Sequence, residues 1–499
     1  MFDLANGHMV RHAAGRELID RLGAQAIARG GVPVPDEYDV VVIGAGPTGE
    51  NVADRAVKAG LTAVITESEL VGGECSYWAC TPSKALLRPL AVAAEARHLG
   101  GVQGARLDPP GVLDRRDSFA SHWKDDGQVK WLNSAHIELV RGHGRLTGPK
   151  TVAVGRADGP AVELRARHAV VIATGTSAMI PPIPGLAEAR PWTSREATSA
   201  HEVPKRLAIV GGGVVGSEMA CAWQALGAQV TFIVRGERLL GRMEDFVGTM
   251  VADGLSATGA DVRCGVSAVS AARPGPGGPV TLTLDDGTTV EADEVLAATG
   301  RTPRTDDLGL ESAGLEAGSW LGVDGTCRVK EVGEGWLYAV GDVNHIALLT
   351  HMGKYQARVC GDAIAARARG QEPATTAWAD QSAVPQVIFT MPEVASVGPT
   401  SAEARAAGRN VRVVDYDLGA VAGSKLFGDS YTGMARMVVD EDRKTMIGAT
   451  LAGPGVGEMI HAATVAVAGQ VPLSQLWHAV PSFPTMSEIW LRLLEAYGL

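Results

Sequence analysis

Cys75 and Cys80 lie in the segment GGECSYWACTPSK, residues 72–84, with only Ser-Tyr-Trp-Ala between them. The chain has six cysteines, and the other four (Cys221, Cys264, Cys327 and Cys360) are scattered singly, as small buried apolar residues often are. A close pair invites metal ligation, a structural cross-link or thiol–disulfide redox chemistry. Zinc would need a second close pair or neighbouring histidines, and the sequence offers neither. The first residues, MFDLANGHMVRHAAGRELIDRL, lack the apolar core of a secretion signal. A cytoplasmic location is therefore expected, where structural disulfides are kept reduced. Redox chemistry is the best use of this pair.

Redox cysteines need an electron carrier, and two phosphate-binding turns are written in the chain. YDVVVIGAGPTGE sets Gly44, Gly46 and Gly49 in G-x-G-x-x-G spacing between a predicted strand and a predicted helix. RLAIVGGGVVGSE repeats the design with Gly211, Gly213 and Gly216. Each unit closes later on Ala-Thr-Gly, with Thr174 and Gly175 in the first and Gly300 in the second. One such turn is weak evidence, but two in strand–turn–helix context are specific. The glycines let the backbone approach a pyrophosphate whose charge the helix N-terminus stabilises.

The repeats differ where a ribose would sit. The strand LTAVITE ends on Glu67, an acceptor for a free 2′-hydroxyl. The corresponding position of the second unit is Val234, followed by Arg235 and, three further on, Arg238. No carboxylate stands there, and a guanidinium suits a 2′-phosphate. The first unit is thus expected to hold FAD, and the second to prefer NADPH over NADH.

Residues 151–170 and 261–293 read as short alternating strands of meander insertions. From about 377 the texture changes: the strands NVRVVDYDL and GMARMVVD and the helical pattern GEMIHAATVAVAGQ carry no phosphate loop. Residues 1–36 read as an amphipathic helical extension broken by Gly-Gly-Val-Pro-Val-Pro. A net charge of −11 argues against a nucleic-acid partner, and no apolar run reaches the roughly 18 residues of a membrane span.

With these pieces placed, residues 37–499 resemble the flavoprotein disulfide reductases of the dihydrolipoamide dehydrogenase, glutathione reductase and mercuric reductase type. The resemblance rests on GGECSYWACTPSK, LYAVGDV and VPQVIFTMPEVASVG. It implies an α/β fold with two Rossmann-like dinucleotide-binding domains plus a C-terminal α+β dimerisation domain. The implied division is FAD-binding over 37–187 and 305–376, NAD(P)H-binding over 188–304, and the interface domain of a homodimer over 377–499. FAD would lie along the first unit, passing Gly73, with Asp342 on its ribityl chain. Cys80 matches the thiol next to the flavin, Cys75 the interchange thiol that attacks substrate, Lys84 the lysine near flavin N5, and Glu218 its ion-pair partner.

Departures from the family pattern bear on the substrate. Disulfide-exchanging members end in a His-Pro-Thr-x-x-Glu segment whose histidine, reaching across the dimer, serves as base and acid for the thiols. Here the segment is PSFPTMSE: Pro484, Thr485 and Glu488 match, and Phe483 replaces the histidine. A positioned general base is worth about 10²–10⁴-fold, so ordinary dithiol exchange should be handicapped; His478 is read as a surface or packed helix residue. Val214 stands where some members carry a tyrosine over the nicotinamide pocket. Tyr77 and Trp78 replace a small or polar pair; they narrow the disulfide's surroundings, stack a flat substrate, or pack in the core. No cysteine follows Cys360, which disfavours mercury reduction. The leading expectation is an NADPH-dependent FAD oxidoreductase cycling Cys75 and Cys80 to reduce a small disulfide or other electrophile. The alternative is an NAD(P)H:quinone reductase working directly from reduced FAD, and a third class is a non-catalytic redox sensor.

Overall fold

The computed structural model describes residues 36–157, 159–275 and 277–499; all but the last residue of the expected N-terminal extension lie outside them. Val40, Val41 and Val42 have no exposed surface. Their strand, Glu37–Ile43, is flanked on both sides by parallel neighbours, Ala63–Glu67 and Val162–Ile172. A strand covered on both faces has no reason to alternate apolar and polar residues, and this one does not. Glu138–Arg141 and Leu337–Ala339 extend the parallel sheet. The first half of Val162–Ile172 pairs antiparallel with Thr151–Gly155, which pairs with His143–Gly148. The meander expected over 151–170 is therefore fused to the main seven-stranded sheet.

The second unit has four parallel strands in the order Asp261–Cys264, Gln229–Val234, Arg206–Val210, Glu294–Ala297. This corrects the expected meander over 261–293. Asp261–Cys264 follows the helix Asp245–Ala257 and completes a parallel crossover. Only Ala268–Ala272, Val280–Leu284 and Thr289–Ala292 form the antiparallel meander. The chain passes from the first sheet to the second through residues 179–205 and returns through 298–336. Near these crossings Thr176–Ala178 pairs with Arg301–Pro303.

The C-terminal unit is a five-stranded antiparallel sheet in the order Pro385–Ile388, Val394–Val397, Thr445–Ala452, Met434–Asp440, Val411–Asp417. Thr445–Ala452 is buried along its whole length. The helices Ile460–Ala468 and Ile489–Tyr497 share its core through Ile460, Ala463 and Leu493.

One helix packing decides where the site forms. Thr350–Ala368 lies against Pro47–Lys58, the helix that follows the first phosphate loop. A methyl group added at Gly353 would stand 2.5 Å from the Thr48 hydroxyl, and at Gly361 2.7 Å from Arg55 Cβ. These glycines let the two backbones close up, and Thr350 arrives beside the loop. Among the described residues no helix is long and apolar enough to cross a membrane.

Candidate active site

The glycines of each loop divide into two kinds. Gly44 has φ +102°, and a Cβ there would lie 2.6 Å from the Ala173 carbonyl oxygen; at Gly49 it would lie 2.0 Å from the Gly44 oxygen. In the second loop the matching contacts are 2.4 Å from Gly211 to the Ala298 oxygen and 2.3 Å from Gly216 to the Gly211 oxygen. The first and third glycines are thus demanded by the chain packing on itself. At Gly46 and Gly213 an added Cβ meets nothing within 4 Å. That open space lies at the N-termini of Pro47–Lys58 and Val214–Leu226, where a helix dipole favours phosphate. Gly73 has φ +57° and rests on Gly46, 2.9 Å from an added Cβ to the Gly46 Cα.

The cleft over the first loop is lined by Glu67, Thr174, Gly175, Asp342, Cys75 and Thr350, among others. Glu67 ends its strand with Oε2 accepting from the Ala45 amide at 2.8 Å and Oε1 from the Glu69 amide at 2.8 Å. Asp342 accepts from the Thr176 hydroxyl at 3.1 Å. Burial raises the pKa of both carboxyls, and as cleft-lining carboxyls they offer acceptor oxygens to hydroxyl donors such as a ribose and a polyol. The donor set and the open loop fit an FAD. Beside the second loop, Arg235 and Arg238 are exposed at the end of Gln229–Val234, and Arg238 reaches only the Gly241 carbonyl, at 3.4 Å. Gly300, φ +156°, faces the Met179 methyl.

Cys75 lies in the short helix Gly73–Tyr77, and Cys80 is the first residue of Cys80–Arg97. No bond joins the two sulfurs. Cys80 Sγ is 3.3 Å from the Thr350 hydroxyl. The hydrogen bond from Cys75 is the main influence lowering the Cys80 pKa, and Thr350 and the Lys84 ammonium act in the same direction. The helix N-terminus favours that thiolate as well. The neighbouring Cys80, with burial, raises the pKa of Cys75. The surroundings therefore favour the thiolate on Cys80 and the thiol on Cys75.

Lys84 follows one turn after Cys80, and its Nζ lies 2.7 and 3.0 Å from the two carboxylate oxygens of Glu218. Glu218 is buried and also accepts from the Phe389 amide at 3.0 Å, while Lys84 stands 4.9 Å above the Phe389 ring. The structure thus brings together Cys75, Cys80, Lys84 and Glu218.

Within one chain the C-terminal segment does not reach them. Phe483 and Glu488 are absent from the cleft lining. Glu488 is buried and paired with Arg492 of its own helix, whereas Phe483 is 76% exposed and His478 is exposed. Tyr77 is 1% exposed and donates to the Val71 carbonyl at 3.0 Å, so it packs in the core and offers no surface to a flat substrate. Val214 is half-buried and packs against the core of the second unit.

Sequence reasoning missed Thr350 and a four-member ion cluster. Arg195 Nε donates to Glu74 at 2.6 Å, and its two terminal nitrogens donate to Glu69 at 2.9 and 2.6 Å. Arg304 donates to the same carboxylates, at 2.7 Å to Glu74 and 3.1 Å to Glu69. The Arg195 hydrogen bonds hold the Glu69 carboxyl down to about 2.

Comparison with known proteins agrees with this geometry. Residues 38–370 match the family model described as pyridine nucleotide-disulphide oxidoreductase. Residues 384–493 match that family's dimerisation domain. The chain belongs to the pyridine nucleotide-disulphide oxidoreductase family, whose members bind FAD and a pyridine nucleotide; it is an FAD-dependent oxidoreductase of disulfides or similar acceptors. It is 33% identical to a dihydrolipoyl dehydrogenase of Thermus scotoductus over 92% of this chain and 97% of the relative. It is 29% identical to a mercuric reductase of Staphylococcus aureus over 91% and 81%. Its fold matches the HOCl-induced flavoprotein disulfide reductase RclA of Escherichia coli, in complex with Cu(II), with a TM-score of 0.80 at 23% identity, over 92% of this chain and 99% of that one. LpdA of Mycobacterium tuberculosis gives a TM-score of 0.80 at 24% identity, over 92% and 100%.

Proposed function

We propose that the chain is an NADPH-dependent reductase of a small disulfide or other small electrophile, working as a cytoplasmic homodimer and cycling Cys75 and Cys80 between dithiol and disulfide. The observation that supports this most is the Cys80 thiol. It stands at a helix N-terminus, 3.3 Å from the hydroxyl of Thr350, and Thr350 and Cys75 line the cleft that holds the first phosphate loop and Asp342. FAD bound in that cleft would take two electrons from the nicotinamide and pass them to the neighbouring disulfide. In this reading Gly46, Gly73, Glu67, Thr174, Gly175 and Asp342 hold FAD. Gly213, Gly300, Arg235 and Arg238 hold NADPH, and Glu488 is an interface carboxylate.

The chain's own steps balance. One hydride equivalent opens the Cys75–Cys80 bond and leaves a proton on Cys75 and a thiolate on Cys80, the distribution that Lys84 and Thr350 favour. Transfer of that proton to Cys80 frees Cys75 to attack RS–SR; the Cys75–SR bond forms and RS⁻ leaves. Cys80 then attacks Cys75, its proton goes to the second departing thiol, and the disulfide closes. The sum is NADPH + H⁺ + RSSR → NADP⁺ + 2 RSH. With Phe483 in place of a base, substrates with acidic leaving thiols should be favoured.

Phe483 also favours a second reading, in which a quinone-like acceptor takes electrons directly from reduced flavin. Anaerobic titration of the holoenzyme with NADPH separates the two. A long-wavelength charge-transfer band at two electrons, with Cys75→Ala abolishing substrate reduction, is the expected result. Bleaching without the band, with full turnover in Cys75→Ala, would install the second reading.

A further inference from the structure

We infer that Arg195 is a positioning residue for the redox pair, holding the segment that carries Cys75 in place relative to Cys80. The inference rests on the reading of Cys75 and Cys80 as a redox couple. Arg195 belongs to the helix Ser194–Ser199, which lies on the crossing from the first sheet to the second. A capping box of Thr193 and Glu196 fixes that helix, and its C-terminal end is held by Arg116, a fully buried guanidinium that donates to the Thr198 and Ala200 carbonyls at 2.7 and 2.9 Å.

From this anchored helix two side chains grip the redox segment. Arg195 binds Glu74, the residue before Cys75, and lies 4.2 Å from the centre of the Trp78 ring. One turn on, the Thr198 hydroxyl lies 3.0 Å from the Trp78 carbonyl oxygen and 2.9 Å from that of Ser194, a shared donor between the two segments. On the other side the Trp123 indole donates to the Tyr77 carbonyl at 3.1 Å. Glu74, Tyr77 and Trp78 are thus each fixed by residues remote in sequence, and Cys75 rides between them.

The thiol pair depends on this grip because a disulfide closes only when the two Cβ atoms lie about 3.5–4.5 Å apart. Arg195 suits the task better than lysine: its planar fork spans Glu74 and Glu69 together, whereas an ammonium is a single point of charge. Its side chain is 28% exposed, so water screens the cluster only in part. Arg304 touches the same two carboxylates from the second crossing. Loss of Arg195 should therefore loosen the segment without freeing it.

The test uses FAD-saturated holoenzyme reduced by two electrons, comparing wild type with Arg195→Met, Arg195→Lys and Glu74→Gln. The readouts are FAD content, thermal midpoint, the charge-transfer band across pH, and the pH profile of iodoacetamide alkylation. Arg195→Met is expected to hold FAD and fold, to lose at least half of the band, and to move its pH midpoint upward; Arg195→Lys should recover less than half of that loss. Glu74→Gln reads the same contact if Arg195→Met fails to fold, and should shift the midpoint in the same direction. Folded, flavin-loaded Arg195→Met or Glu74→Gln with a wild-type midpoint and band overturns the inference. A wild-type enzyme with no band overturns the redox-pair reading instead.

Discussion

The ammonium of Lys84 and the carboxylate of Glu218 meet at 2.7 Å, joining the helix that begins at Cys80 to the helix that follows the second phosphate loop. The Glu218 side chain is 5% exposed and that of Lys84 35%. Charge on the carboxylate is therefore held by Lys84 and the Phe389 amide rather than by water.

Lys84→Met should leave Glu218 with the Phe389 amide as its one remaining partner. The half-exposed lysine limits the cost, and a loss of about 1–2 kcal/mol is expected, as for a buried acceptor deprived of a donor. Urea unfolding of the holoenzyme measures it. The Cys80 charge-transfer band should weaken in the same variant, because Lys84 is one of the groups that lower the Cys80 pKa.

The sign of the pH dependence follows from the two thiols. Cys80 is depressed, so its thiolate persists below the ordinary cysteine pKa of about 8.5 and disappears as pH falls through the lowered value. Any stability the thiolate contributes is present above the unfolded value and lost over the same descent. Because the Cys75 hydrogen bond is the largest cause, Cys75→Ala should raise the midpoint of the band by about one pH unit. Cys75→Ser, which keeps a donor, should move it less. Equal midpoints in the two oxidised-flavin variants would count against the assigned cause.

Arg235→Ala should raise the KM for NADPH by roughly 10–100-fold, the range set by loss of one charge-assisted contact. The KM for NADH should change by less than about twofold. Steady-state kinetics with both nucleotides decides, and a parallel rise for both would remove Arg235 from the 2′-phosphate.

Gly46→Ala and Gly49→Ala should part company. An added methyl at Gly46 meets no atom, so the apoprotein should unfold near the wild-type temperature while FAD affinity falls. At Gly49 the methyl would meet the Gly44 carbonyl 2.0 Å away, and the apoprotein itself should lose stability. Thermal unfolding of apoprotein and FAD titration give the two numbers for each variant.

Phe483→His restores the residue type that the family segment carries at that place. Turnover of an unactivated disulfide should rise about tenfold or more, with quinone turnover little changed. A variant no faster than wild type on the disulfide would show that the missing base does not limit exchange.

The phosphate loops were legible because their glycines answer contacts made within one strand–turn–helix unit. The cysteine pair was legible because its spacing is local. Other features needed distant partners. Asp261–Cys264 alternates like a meander strand, and only its position after Asp245–Ala257 commits it to the parallel sheet. Tyr77, two residues from Cys75, reads equally as a substrate surface or a core residue until its hydroxyl is found on the Val71 carbonyl. Glu69 and Glu74, Arg195, and Arg304 come from three separate stretches of chain, and each alone looks like a solvated charge. Thr350 acquires meaning only when its helix closes on Pro47–Lys58.

The pairing of Leu337–Ala339 with Val162–Ile172 has a consequence for biosynthesis. The flavin-side sheet cannot be finished, nor Thr350 and Asp342 delivered to the cleft, until the chain has been made well past the entire second unit. The ribosome releases the phosphate loop and both redox cysteines early, and they wait for the segment that completes their surroundings. Cofactor loading is thus expected late in synthesis or after it, with the second unit already folded in between.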